Sequence, residues 1–142
     1  MRALKFLVPL VVLAAGGCLA DRSSTPAQPF WAEFRQAVLA DDMDKIARVT
    51  RFPFEVRGPD DSNPIEQYDQ AGFQDVYRRL MAQPVYLPLS GVIIAKSMRE
   101  LIAEQKTLAA DDQTTADTFH FHQFEFELSK GRWQFVRAYL EE

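Results

Sequence analysis

The sequence predicts an α+β fold, with N-terminal helices packed on a curved, mainly antiparallel sheet that closes with a C-terminal β-hairpin. Two observations carry this prediction. From Pro29 onward, apolar residues recur with the period of an α-helix, whereas from Phe119 onward aromatic and polar residues alternate as they do in strands. Residues 29–142 are enough for one domain with its own core.

The first 17 residues have the three parts of a secretory signal peptide. Arg2 and Lys5 form the basic start, an apolar stretch follows, and small residues precede the only cysteine, Cys18. This arrangement resembles the lipobox of bacterial lipoproteins, which implies removal of residues 1–17 and attachment of acyl chains to Cys18. Several acyl chains on one residue give stable membrane attachment. Cleavage before Asp21 is the alternative, and it would leave a soluble secreted or periplasmic protein.

Charge and cysteine content limit the possible partners of the mature chain. Residues 18–142 contain 14 basic and 20 acidic residues, a net charge of -6, so nucleic acid is not an expected partner. Cys18 has no second cysteine with which to form an internal disulfide. Leu19 stands where an inner-membrane retention signal would have aspartate, so the lipoprotein resemblance implies the outer membrane, facing the periplasm. No cofactor is predicted.

A flexible tether is predicted between the lipid anchor and the domain. Residues 18–28 have no sustained apolar periodicity, and Pro29 suits the first position of a helix. Three aspartates, Asp41, Asp42 and Asp44, then precede a second short helix. They suggest either a helix cap or a metal site, and we favour the cap because the glycine and distal glutamate of a calcium loop are absent.

The middle of the chain alternates between strand and helix signals. Residues 52–58 read as a strand, and the following Pro-, Asp- and Asn-rich segment reads as a loop. Asp69 can cap a helix that ends before Pro84. Residues 92–95 have the composition of a short strand. Residues 97–108 begin with a capping-box pattern and favour a helix, with a long strand as the alternative.

The C-terminal hairpin contains the only two histidines, His120 and His122. The alternation of aromatic residues changes phase near His122, and we expect a β-bulge there that places both histidines on the polar side. In a regular strand they would instead share the buried side and form candidate acid-base or metal groups. Two imidazoles alone leave a zinc site incomplete, so no metal is predicted.

The last strand is predicted to carry apolar side chains on both faces. Trp133, Phe135, Arg137 and Tyr139 have one parity, and the residues between them have the other. Arg137 among aromatic rings is a candidate ligand-binding residue for an anion, although an arginine that packs its stem and exposes its head is the commoner case.

The order of these elements resembles the NTF2-like superfamily, whose members fold as a bent sheet wrapped around helices to form a cone. The resemblance rests on the two opening helices, the strand after them and the final Gly131-x-Trp133 strand. It implies two functional classes. The first is a non-enzymatic envelope lipoprotein that binds a small ligand or a protein, as an adaptor, inhibitor or immunity-type factor. The second is a small isomerase or dehydratase, with His120, His122 and Tyr139 as weak catalytic candidates. We favour the first, because the sequence has no nucleophile-base pair and no phosphate-binding loop.

Overall fold

The computed structural model describes residues 26–141, so Cys18 and the predicted signal peptide lie outside the described part of the chain. The helices and strands follow the chain in this order: α1 (Ala27–Leu39), α2 (Met43–Arg48), β1 (Thr50–Arg57), β2 (Glu66–Tyr68), α3 (Gln70–Ala82), β3 (Pro84–Leu89), β4 (Val92–Ser97), α4 (Met98–Glu104), β5 (Gln113–Thr115), β6 (Thr118–Phe121), β7 (Phe124–Ser129) and β8 (Arg132–Tyr139). A 3-10 turn, Ala110–Asp112, precedes β5.

Six strands form one sheet in the order β2-β1-β8-β7-β6-β5, and β3 pairs with β4 in a separate two-stranded sheet. Within the large sheet the β1–β8 pair is parallel and the others are antiparallel. The predicted α+β class and the mainly antiparallel sheet are therefore confirmed.

An aromatic core lies between the helices and one face of the large sheet. The ring of Phe34 in α1 lies 5.0 Å from that of Phe126 in β7, and the ring of Phe73 in α3 lies 5.0 Å from that of Phe54 in β1. Each buried aromatic side chain contributes about 1.5–3 kcal/mol through burial. The largest fully buried side chains are Trp31, Phe34, Phe54, Phe73, Phe119, Phe121, Phe124, Phe126, Phe135, Ile46, Leu80 and Met98.

The helix starts follow the capping residues in the sequence. Asp42 accepts a hydrogen bond from the backbone N–H of Lys45, and Asp69 caps α3 in the same way, as predicted. Ser97 and Glu100 form a capping box at the start of α4, so the helix prediction there is confirmed and the strand alternative is wrong. The first helix begins at Ala27, two residues earlier than predicted, because Ala27 is buried in the core.

Helices α1 and α4 run antiparallel and are joined by hydrogen bonds at both ends. Near the start of α4, Nη1 of Arg99 donates to the carbonyl of Val38 and to the carboxylate of Asp41, each at 2.7 Å. Beyond the end of α4, the carbonyl of Gln105 accepts from the indole nitrogen of Trp31 at 3.1 Å. These contacts fix the helical layer over the sheet.

The predicted bulge at His122 is wrong, because the chain turns there. β6 and β7 form a hairpin in which His120 pairs with Glu125 and Phe121 pairs with Phe124. His122 has φ 50° and, with Gln123, makes the two-residue turn. The change of phase in the sequence marks this reversal. His120 thus lies in β6 and His122 in the turn, and the two do not share a regular strand face.

The predicted shared face of the last strand is also corrected. Phe135 pairs with Phe126, whereas Arg137 pairs with Glu125, so Val136 is the extra residue of a bulge in β8. Phe135 therefore points into the aromatic core and Arg137 points to the opposite face of the sheet.

Candidate functional site

Arg137 lies between two carboxylates on the sheet face that points away from the aromatic core. Its Nε donates to Oε2 of Glu55 in β1 at 2.7 Å, and its Nη1 donates to Oε1 of Glu125 in β7, also at 2.7 Å. The side chains of Arg137 and Glu125 are largely buried. An anionic ligand would have to compete with these two carboxylates, and the ligand-binding role of Arg137 remains a prediction.

The ion pairs in this cluster shift the pKa values of Glu55 and Arg137 toward the charged forms. The hydrogen bond from Arg137 lowers the pKa of Glu55 below its ordinary value, against the opposing effect of burial. Burial disfavours the charged form of Arg137, but the bonds to Glu55 and Glu125 outweigh it and raise the pKa of the guanidinium. Arg57 also approaches Glu55, at 3.3 Å between Nη2 and Oε2. Two arginines thus balance two glutamates, and the cluster is electrically neutral.

Two of the three catalytic candidates lie beside Glu125. The hydroxyl of Tyr139 is 3.5 Å from Oε2 of Glu125, and Nε2 of His120 is 4.0 Å from the same oxygen. His122 lies apart from them in the turn, where its ring packs against Phe121, and burial lowers its pKa. The structure therefore brings His120 and Tyr139 together and separates His122 from them.

Neither Glu55 nor Glu125 is predicted from the sequence as a member of this cluster. Their alternation with aromatic residues was visible, but the β1–β8 and β7–β8 registers bring them to Arg137. Register is set by the apolar pattern along whole strands and by turn geometry, and the bulge at Val136 shifts it here, so no short motif marks the cluster.

Two surface cavities lie on the described part of the chain, and Arg57 of this cluster lines one of them. One, of about 340 Å³, is lined by Arg57, Asp60, Glu66, Arg79 and nearby loop residues. The other, of about 360 Å³, lies near the start of α4 and is lined by residues that include Tyr77 and Arg99. Neither cavity is lined by His120, His122, Arg137 or Tyr139.

Between residues 26 and 141, no group of three His, Cys, Asp or Glu side chains is arranged to hold a metal ion. In the same part of the chain, no helix has the length and hydropathy needed to cross a membrane.

Strands β3 and β4 form a hairpin whose apolar side chains are largely exposed. Residues 84–95 contain no charged side chain, and we call the exposed part of this segment the hairpin surface. Tyr86 and Val92 are each 63% exposed and Ile93 is 72% exposed, whereas Val85 is buried and anchors the hairpin base to the core. Exposed side chains of this kind in one uncharged segment are typical of interaction sites.

Comparison with known proteins adds no relative to this description. No protein-family model matches the chain, and neither curated proteins nor solved structures give a significant match.

Proposed function

We propose that this chain is a lipoprotein of the bacterial cell envelope with a non-enzymatic binding role. The anchor is acylated Cys18, and the outer membrane, facing the periplasm, is the location that the residue after it favours. The observation that carries the binding role is the hairpin surface, where Tyr86 and Ile93 are exposed on one face of the hairpin and Val92 is exposed on the other. The buried centres of protein interfaces are depleted of charged residues and enriched in aromatic ones; this surface has no charged side chain and exposes one aromatic side chain, Tyr86.

A protein is a better candidate partner than a small ligand inside a cone. In an NTF2-like domain, which we propose here on the order of its helices and sheet, a ligand would lie between the sheet and the helices. That space holds packed rings: Phe34 lies 5.0 Å from Phe126 and 5.4 Å from Phe135, between centroids. The filled interior favours binding at the outside of the domain.

A small acid-base enzyme is the second candidate function. It is supported by the position of Tyr139 and His120 around Oε2 of Glu125. This constellation would act on a substrate at the sheet face opposite the helices. Loss of a substrate-dependent activity on His120→Ala, with the fold retained, would favour this candidate.

Capture of the partner from the envelope tests the binding role. The tagged full-length protein is expressed in its bacterial host, crosslinked and purified, and the recovered proteins are quantified. We expect one stoichiometric protein with the wild type. Its recovery should fall at least about tenfold with Ile93→Asp, because docking would have to desolvate the new charge. Ile65→Asp is the matched control, because Ile65 is also exposed but lies outside the hairpin.

The control variant separates a specific loss from general damage. Equal recovery from the wild type, Ile93→Asp and Ile65→Asp would contradict a binding role for the hairpin surface. Absence of any stoichiometric protein from the wild-type sample, in a host that also expresses an untagged copy of the chain, would contradict the binding function itself.

A further inference from the structure

In the β3–β4 hairpin, facing residues alternate between pairs that exchange backbone hydrogen bonds and pairs that do not. Ser90 and Gly91 form its two-residue turn, with φ of 50° and 82°, and Leu89 pairs with Val92 on either side. In a hairpin with a two-residue turn, the flanking pair exchanges backbone hydrogen bonds, and the pairs then alternate between bonded and non-bonded. The pairs that do not exchange hydrogen bonds are Pro88–Ile93, Tyr86–Ala95 and Pro84–Ser97.

Two prolines block the outer edge of β3. At non-bonded pairs the backbone groups point away from the partner strand, and proline has no N–H to offer there. Of the β3 residues in these pairs, Pro84, Tyr86 and Pro88, Tyr86 alone has an outward N–H. Proline is a common means of preventing pairing at a strand edge.

By the same alternation, the outer edge of β4 presents backbone groups that point away from β3. Ile93 and Ala95 point their N–H and C=O groups away from β3, and both residues are exposed. Among residues 26–141 no strand pairs with this edge, and β3 is the one strand beside β4. The hairpin surface thus offers backbone donors and acceptors together with exposed apolar side chains.

We propose that a second copy of this chain adds its own β4 to this edge in antiparallel orientation, giving a dimer. The inference rests on the proposed binding role of the hairpin surface and names its partner. In the symmetric pairing, Ile94 lies at the two-fold axis and Ile93 exchanges hydrogen bonds with Ala95 of the second copy. The two hairpins become one four-stranded sheet.

Charge and strand number both favour a second copy. A two-fold interface sets the same patch of both copies face to face, so a charged patch would meet like charge. A quarter of the whole chain is charged, yet residues 84–95 carry no charge. An isolated two-stranded hairpin is marginally stable in water, and extension to four strands would stabilise the exposed part of this hairpin beyond Val85.

Insertion of the hairpin into lipid is the less favourable alternative. The open edge of β4 carries the outward N–H and C=O groups of Ile93 and Ala95. In hydrocarbon these groups would lack hydrogen-bond partners, which strongly disfavours insertion. Pairing with a second strand satisfies them.

Sedimentation equilibrium tests the dimer on the full-length lipidated protein in density-matched detergent micelles. We expect a concentration-dependent monomer–dimer equilibrium, with a dissociation constant raised at least about tenfold by Ala95→Pro, which removes one outward N–H. Ile65→Asp is the control, because Ile65 is exposed but lies outside the hairpin, and it should leave the equilibrium unchanged. Circular dichroism and thermal unfolding establish that both variants fold.

Crosslinking in cells tests the dimer without a proline substitution. Ile94→Cys should give a disulfide-linked dimer on non-reducing gels, because non-bonded antiparallel partners approach closely. The wild type controls for Cys18. A monomer at all concentrations with no crosslink would overturn the dimer. If that monomer still captured a different protein, the binding role of the hairpin surface would be supported and the proposed dimer would be contradicted. Protection of the Ile94→Cys thiol by vesicles, without dimer, would indicate lipid contact and also overturn it.

Discussion

Nη1 of Arg137 in β8 donates a hydrogen bond of 2.7 Å to Oε1 of Glu125 in β7, and this contact ties two neighbouring strands on the face away from the core. The same guanidinium donates to Glu55 in β1 on its other side. One side chain thus bridges three adjacent strands of the sheet. Its two carboxylate partners depend on it for charge neutrality.

Replacing Arg137 should therefore destabilise the fold strongly. In Arg137→Met the stem is preserved, but Glu55 and the largely buried Glu125 lose their main counterion. We expect the free energy of unfolding to fall by about 3 kcal/mol, measured by urea denaturation, because breaking a buried pair leaves an uncompensated charge. Arg78→Met removes an exposed pair with Asp75 and should cost less than about 1 kcal/mol. Similar losses in both variants would contradict the bridging role.

The ion pair of Glu55 should make stability depend on pH in the acidic range. Since Arg137 lowers the pKa of Glu55 in the folded state, the unfolded chain takes up the proton first as the pH falls. The stabilisation is complete above the ordinary pKa of about 4.5 and is lost as the pH falls through the folded-state value. Urea denaturation at a series of pH values should show the difference between the wild type and Glu55→Gln shrinking below about pH 4.5. A difference that grew toward acid would have the wrong sign.

The backbone at His122 distinguishes a tight turn from the bulged strand that the sequence suggested. With φ at 50°, this position disfavours β-branched residues and tolerates glycine. We expect His122→Val to be less stable than His122→Gly by about 1–2 kcal/mol in thermal or chemical unfolding. Both variants lose the ring contact with Phe121, so that contact cancels in the comparison. Equal stability, or a more stable valine variant, would indicate an extended backbone at this position.

The elements that the sequence predicted well are those with local chemical signals. Asp69 and Ser97 are side chains that cap helices through residues three positions away, and both helices begin where these caps lie. The turn at Lys130-Gly131 has the glycine that a left-handed backbone favours, and its hairpin was predicted. Such signals lie within a few residues and do not depend on the rest of the fold.

The parts that the sequence missed depend on distant packing. The turn at His122-Gln123 has neither glycine nor proline, and the bulge at Val136 inserts an apolar residue where either face would accept it. The exposure of Ile93 was not predictable either, because an apolar strand is ordinarily buried and its composition does not tell which strands remain uncovered. The Glu55–Arg137–Glu125 cluster needs both strand registers before it becomes visible.

Mass spectrometry of the mature N-terminus tests the central claim, that this domain acts from a membrane to which Cys18 ties it. The protein is expressed with its leader in a bacterial host, extracted from the membrane fraction and digested. We expect a first peptide that begins at Cys18 and carries the mass of its acyl chains. An unmodified peptide that begins at Asp21 would contradict it.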